Sequence, residues 1–203
     1  MKILTLGPKG TFSHKASINY SKKNNLRGVD IDFRKNILEI FNFVEETKNE
    51  NVLGIIPVEN MLNGSVRETL DLLFRKNVFV VGEVVIPIHH CLACNKKIKK
   101  IRQIKKVVSH PQALAQCMKF IRKKGFETIE EVSTAKAMKN VSKLDEKNFS
   151  TAAIGLEIAA KEYGLKVLRK NIEDNKNNVT KFFVISKNEK HPDKSKRCKT
   201  SLA

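Results

Sequence analysis

Short apolar runs alternate with stretches of helical spacing along nearly the whole chain. Lys2 to Leu6 reads as a strand that leads to a helix from about Ser13 to Lys23. Ile31 to Phe33 is a short strand. Ile37, Ile40, Phe41 and Val44 recur at i, i+3, i+4 and i+7, which predicts a helix over Ile37 to Thr47. Val52 to Ile56 is the next strand, followed by a helix through Val66, Leu70 and Leu73. The longest extended run, Val78 to Cys91, carries the chain into a second unit. That unit holds a strand at Val107 and Val108, a helix from Pro111 to Lys123, an extended piece near Thr128 to Val132, a helix opening at Ser133 and Thr134, a strand at Ala152 to Ile154 and a helix through Tyr163. Phe182 to Ser186 is a last strand. Alternation of this kind predicts α/β layers around a largely parallel sheet.

Four of the apolar runs stop at small or polar clusters where a helical pattern begins. They are Ile3 to Leu6 before Gly7 to Ser13, Val52 to Ile56 before Pro57 to Asn60, Val107 and Val108 before Ser109 to Gln112, and Ala152 to Ile154 before Gly155. Strand ends feeding helix starts gather ligands in open α/β sheets. The unpaired N–H groups of helix N-termini favour a small anion. The pattern therefore points to a small organic acid or phosphate as ligand.

Composition narrows the partners. A chain of 203 residues, 41% of them apolar, can bury one sizeable core or two smaller ones. No apolar stretch is long enough to cross a bilayer, and Val78 to Ile88 is broken by Gly82, Glu83 and Pro87. Met1, Lys2 and Ile3 open a strand with no leader pattern, so a cytosolic protein without membrane contact is expected. The net charge of +18 raises nucleic acid as a partner. Its excess is concentrated in Lys96 to Lys106, Lys119 to Lys124 and Lys187 to Lys199, with no Trp and no interleaved aromatic platform. A lysine-rich solvated surface that draws in an anionic substrate is the better reading. Cys91, Cys94, Cys117 and Cys198 lack a second Cys/His pair at zinc-site spacing, and alternation along an extended segment parts His90 from His89 and Cys91. They are read as thiols in a reducing compartment, with no metal and no cofactor.

Five motifs in order give a sharper reading. Gly7 to His14, Pro57 to Asn60 with Gly64, Ile88 to Leu92, Ser109 to Cys117, and Asn178 to Phe182 resemble the ordered signatures of the prephenate dehydratase family, across about residues 1 to 186. The resemblance implies a two-lobed fold like that of type II periplasmic binding proteins, with the active site in the cleft between the lobes. It places the first lobe at 1–80 and 171–187 and the second at 81–170. It implies the loss of CO2 and water from prephenate to give phenylpyruvate in phenylalanine biosynthesis, on a homodimer or higher homo-oligomer. Two alternatives stay open: a dehydratase preferring arogenate, and a non-catalytic module binding a small anion.

The same resemblance assigns residues. Thr180 would donate to the departing oxygen, directly or through a bound water. Asn60, Ser109 and Gln116 match substrate-contacting positions, and their side chains bind a carboxylate or hydroxyl without ionising. Ser109 is read both as a contact and as a cap for the helix that follows, and Gln112 and Gln116 share a face of it. Thr11 and Ser13 at the first strand end, and Thr134 in the second lobe, are candidate receivers of a carboxylate. Lys181, a further candidate for binding the substrate, stands where the family has Arg, so charge is kept and the bidentate fork is lost. Met61 and Leu156 also depart from the usual pattern. Glu59 is an acid that needs a partner beside an anionic substrate. No Gly-x-Ser-x-Gly elbow accompanies His14, His89, His90 or His110, so these are read as structural. Lys199 to Ala203, after a polar linker beginning near Asn188, resemble the opening of a regulatory ACT domain, so 188–203 is read as linker and domain start, frayed from about His191.

Overall fold

The computed structural model describes residues 1–145 and 150–190. It contains two compact α/β units. One consists of residues 1–6, 16–86 and the described residues from Val179 onward, the other of residues 7–15 and 87–178. The tail expected to fray and to open a further domain lies, from His191 on, outside the described residues.

In the first unit the elements are β1 (Lys2–Leu6), α1 (Phe12–Lys23, whose first turn falls in the other unit), β2 (Asp30–Arg34), α2 (Ile37–Glu46), β3 (Val52–Asn60), β4 (Gly64–Ser65), α3 (Arg67–Arg75) and β5 (Phe79–Pro87). The second unit has β6 (Cys91–Cys94), a 3-10 turn at Ile101–Gln103, β7 (Lys106–Ser109), α4 (Pro111–Gln116), α5 (Met118–Lys124), β8 (Glu127–Glu130), α6 (Thr134–Ser142), β9 (Thr151–Gly155), α7 (Glu157–Glu162) and β10 (Lys166–Lys170). The chain then returns to the first unit as β11 (Val179–Ser186).

Neither sheet is largely parallel. The first runs β2-β1-β3-β11-β5, with β1 parallel to β2 and β3 but β11 antiparallel to β3. The second runs β10-β6-β9-β7-β8, with β6 antiparallel to both neighbours and β7 parallel to β8 and β9. Alternation of strands and helices reports how neighbours in sequence connect. It says nothing of a strand such as β11, which arrives from far along the chain.

The helices form where capping and periodicity agree. Asn36 caps α2 by accepting from Glu39 N at 2.8 Å, and the Glu39 carboxylate returns to Lys35 N at 3.2 Å. The stripe Ile37, Ile40, Phe41 and Val44 is buried with Leu4, Val52, Ile56 and Ile185. Full burial of such a side chain contributes about 1.5–3 kcal/mol. Gly54 on β3 makes that approach possible, since a Cβ there would stand 2.7 Å from Ile185 Cγ1 and 2.8 Å from Ile40 Cγ2. In the second unit, alternation along β6 sends Leu92 and Cys94 to one core and Cys91 and Ala93 to the other.

Three local expectations need correction. The predicted strand end at Ile56 is not an end, because β3 runs on to Asn60 and the next helix starts only at Arg67. Pro57 is tolerated because the β3/β11 register shifts there: Lys181 pairs with Glu59 but Phe182 with Pro57, leaving Val58 as the extra residue, whose carbonyl takes Val66 N at 2.8 Å. The helix expected over Pro111 to Lys123 breaks at Cys117. There the Asp174 carboxylate accepts from Lys119 N at 3.1 and 3.2 Å and Asp174 N donates to Gln116 O at 2.7 Å, holding both sides of the break. Finally, the sequence pattern does not predict β10, because polar residues hide the alternation in Lys166 to Lys170.

Candidate active site

The register of β3 against β11 brings Asn60 beside Thr180 and Glu59 beside Lys181, across more than a hundred residues of chain. Asn60 Nδ2 donates to Thr180 Oγ1 at 2.9 Å and to Val179 O at 3.1 Å. Its Oδ1 accepts from Leu62 N and Asn63 N, both at 3.2 Å, and from Asn63 Nδ2 at 2.7 Å. This pattern fixes the amide orientation, since a flipped amide would set its oxygen against the Val179 carbonyl. Thr180 Oγ1 therefore receives a hydrogen bond, and among the described residues nothing accepts its own proton. Both residues are half-buried.

Glu59 and Lys181 lie on the other face of the two strands, as alternation requires. Lys181 Nζ is 3.5 Å from Glu59 Oε2. Lys181 thus stands with a carboxylate partner of its own, and not beside Thr180.

The other candidates belong to the second unit. Gly10 has φ of +93° and packs against α7, where a Cβ would come within 2.9 Å of Ala159 Cβ. Its N–H donates to His14 Nδ1 at 3.0 Å. Thr11 Oγ1 accepts from His14 N at 3.2 Å, so Thr11 serves the first turn of α1, and Ser13 beside it is buried. Burial holds the His14 pKa below its ordinary value, with the Lys9 charge adding to the effect and Glu162 opposing it. Thr134 is half-buried and is the first residue of α6, behind the cap Ser133, whose hydroxyl accepts from Lys136 N at 3.1 Å. A Cβ on Gly155 would lie 3.1 Å from Thr134 Cβ, so that glycine makes room for it.

Ser109 does not cap α4. Pro111 is the first helical residue, so the cap falls on His110, whose Nδ1 accepts from Gln112 N at 3.2 Å. Ser109 ends β7 fully buried, its hydroxyl donating to Ile154 O at 2.6 Å. Gln112 is exposed, whereas Gln116 is half-buried with Oε1 2.9 Å from His90 Nε2. His90 is 2% exposed, its ring edge-on to Phe12 at 5.7 Å.

Next to them lies a group that sequence reasoning passed over. Glu173, buried, accepts from His90 N with Oε2 and faces His89 Nδ1 with Oε1, both at 2.8 Å. Burial alone would raise its pKa, but the hydrogen bonds from His90 N and His89 outweigh it and hold the pKa below the usual value. Nothing local marks Glu173 in the sequence, because its partners stand more than eighty residues away. Burial pushes the Cys91 thiol up to about 12 and Cys94 up to about 11. Among the described residues no group of His, Cys, Asp or Glu is arranged to hold a metal ion, and no helix is long and apolar enough to cross a membrane.

Comparison with known proteins bears on this arrangement. The family model of prephenate dehydratase matches residues 3–190. A curated protein named prephenate dehydratase from Methanocaldococcus jannaschii is 41% identical over 196 residues, which cover 96% of this chain and 68% of that one. A bifunctional chorismate mutase/prephenate dehydratase from Buchnera aphidicola is 37% identical over 203 residues, covering 97% of this chain and 50% of its own. The solved prephenate dehydratase of Staphylococcus aureus is 29% identical with a TM-score of 0.79, over 94% of this chain and 67% of its own. The chain thus spans between half and about two thirds of these relatives' lengths.

Proposed function

The chain belongs to the prephenate dehydratase family, and from that premise we propose that it converts prephenate to phenylpyruvate, CO2 and water. The observation that carries the reading is the Asn60 Nδ2 to Thr180 Oγ1 hydrogen bond of 2.9 Å. A threonine that accepts from an amide is polarised towards donating its own proton. In the proposed step the C–CO2 bond of the ring carboxylate breaks and its electron pair enters the ring. The C–OH bond breaks at the opposite ring carbon, and the departing oxygen leaves as water with a proton passed on by Thr180, directly or through a water, while solvent returns a proton to the threonine hydroxyl. Aromatisation supplies much of the driving force. What remains for the protein is to orient the dianion and to stabilise the oxygen on which charge develops.

Gln116 offers amide N–H groups to a substrate oxygen, and Thr11, Ser13 and Thr134 are the further candidates for carboxylate contacts. Ser109 and Lys181 fill supporting parts in this reading: the Ser109 hydroxyl donates within its own sheet, and Lys181 neutralises Glu59. We further hold that the enzyme is cytosolic and homo-oligomeric. In support stand the free, buried thiols of Cys91, Cys94 and Cys117, and the outward-facing Phe74, 84% exposed.

The test is a product assay with the purified chain. Phenylpyruvate should appear from prephenate. Phenylalanine formed from arogenate in preference would move the substrate to that amino acid, and binding of either without turnover would leave a small-anion module.

A further inference from the structure

His90 is buried, yet it has one nitrogen engaged and one without a partner. Nε2 is 2.9 Å from Gln116 Oε1, while Nδ1 is buried with no hydrogen-bond partner among the described residues. Two proton arrangements are compatible with the Nε2 contact. If Nε2 carries the proton, it donates to Gln116 Oε1, and Nδ1 is a bare lone pair. If Nδ1 carries it, the Gln116 amide must turn over to donate to Nε2, and a buried N–H is stranded. The atom that stands 2.9 Å from Nε2 is the amide oxygen of Gln116, which can only accept, so the contact as it is placed takes its proton from Nε2. The Nε2–H tautomer is therefore favoured, and burial, which lowers the His90 pKa, keeps the ring neutral near pH 7.

The surrounding backbone holds the ring in place. His90 N donates to Glu173 Oε2 at 2.8 Å and His90 O accepts from Ile172 N at 3.1 Å. Two residues further on, Asp174 N donates to Gln116 O at 2.7 Å. Residues 172–174 thus grip the main chain at both His90 and Gln116, and His89 Nδ1 lies 2.8 Å from the second Glu173 oxygen. With Oε1 taken by His90, the Gln116 amide keeps two N–H donors for which no described residue supplies an acceptor.

We propose that His90 is a positioning residue: its Nε2–H holds Gln116 Oε1, which turns the N–H groups of the Gln116 amide towards a carboxylate or hydroxyl oxygen of the ligand, with Glu173 seating His90. The substrate part of this inference rests on the dehydratase reading, whereas the tautomer does not.

The test has two arms. In the first, 15N-histidine-labelled wild-type chain at about pH 7.5 is read for the proton-bearing nitrogen of each ring by long-range 1H–15N correlation, with His90 assigned through its backbone. A neutral ring protonated at Nε2 is expected, and a ring protonated at Nδ1 or at both nitrogens overturns the proposal. In the second, His90→Phe should raise KM for prephenate about tenfold, the size of one hydrogen bond, with kcat changed much less. The same change in a Gln116→Ala background should add nothing. Additive losses would show that His90 acts apart from Gln116 and overturn the proposal. If His90→Phe does not fold, the wild-type tautomer still decides. A wild-type chain turning over neither prephenate nor arogenate sinks the proposed function while leaving the first arm to judge the His90–Gln116 geometry.

Discussion

Replacing Thr180 by Val removes one oxygen and keeps the β-branched shape that suits the start of β11. Two costs follow, and they differ enough in size to be told apart. For stability, Asn60 Nδ2 loses Thr180 Oγ1 but keeps Val179 O at 3.1 Å, and Oδ1 keeps all three of its donors. One hydrogen bond at a half-buried site is worth about 0.5–1.5 kcal/mol. For catalysis, loss of a donor aimed at the oxygen that gains charge in the transition state costs about 2.7–4 kcal/mol, or 10²–10³ in kcat. The expected outcome is a variant that unfolds slightly earlier in urea but makes phenylpyruvate on the order of a hundredfold more slowly at saturating prephenate, with KM little changed. Absorbance of the product and a urea melt on the same preparation give both numbers. A Thr180→Val enzyme with wild-type kcat refutes the role, and a loss confined to KM would turn Thr180 into a binding residue.

Other outcomes follow from the packing and the charges. Gly54→Ala should destabilise the chain by about 1–3 kcal/mol, read as a lower urea midpoint at unchanged slope, because Ile185 and Ile40 already occupy the space of a Cβ. Gly10→Ala meets both a φ of +93° and the Ala159 backbone, so it should lose stability as well, and a neutral result would mean that the loop can re-route. Lys181→Arg should behave as wild type, and Lys181→Met should cost under about 1 kcal/mol, as expected for a largely solvated pair. A tenfold rise in KM in the Met variant would instead bring Lys181 into contact with substrate. Because burial lowers the pKa of both His14 and His90, the unfolded chain binds protons more readily than the folded one. Their contribution is complete above the unfolded histidine value of about 6.5 and is lost as the pH falls through their folded values. Urea stability should therefore drop between about pH 6.5 and pH 5, above the carboxylate range, and a flat profile there would contradict the neutral state of both rings.

Much of this chain is legible without coordinates because its signals are local. The stripe Ile37, Ile40, Phe41 and Val44 states its own burial, and Asn36 and Ser133 announce helix starts through contacts only three residues long. The ordered motifs likewise single out Asn60, Gln116 and Thr180 as candidates for the site. Pairing was beyond reach. A hydrogen bond between Asn60 and Thr180 depends on β11 returning antiparallel to β3, and on a bulge at Val58 that absorbs Pro57 and sets which side chains share a face. A one-residue difference in that register would place Lys181 where Thr180 stands. For the same reason the pattern offers Ser109 as a cap as well as a contact: it shows a hydroxyl before a helix, but only the φ/ψ of His110 and the carbonyl of Ile154 decide which residue turns where. Glu173 is the clearest case. An acid in a polar loop carries no sequence signal, and its meaning comes from burial against His89 and His90, which costs the carboxylate its water and sets it against those two partners. Sequence fixes what a residue can donate or accept, while tertiary structure decides what stands within 3 Å of it, and at this site that second fact separates a donor from a cap.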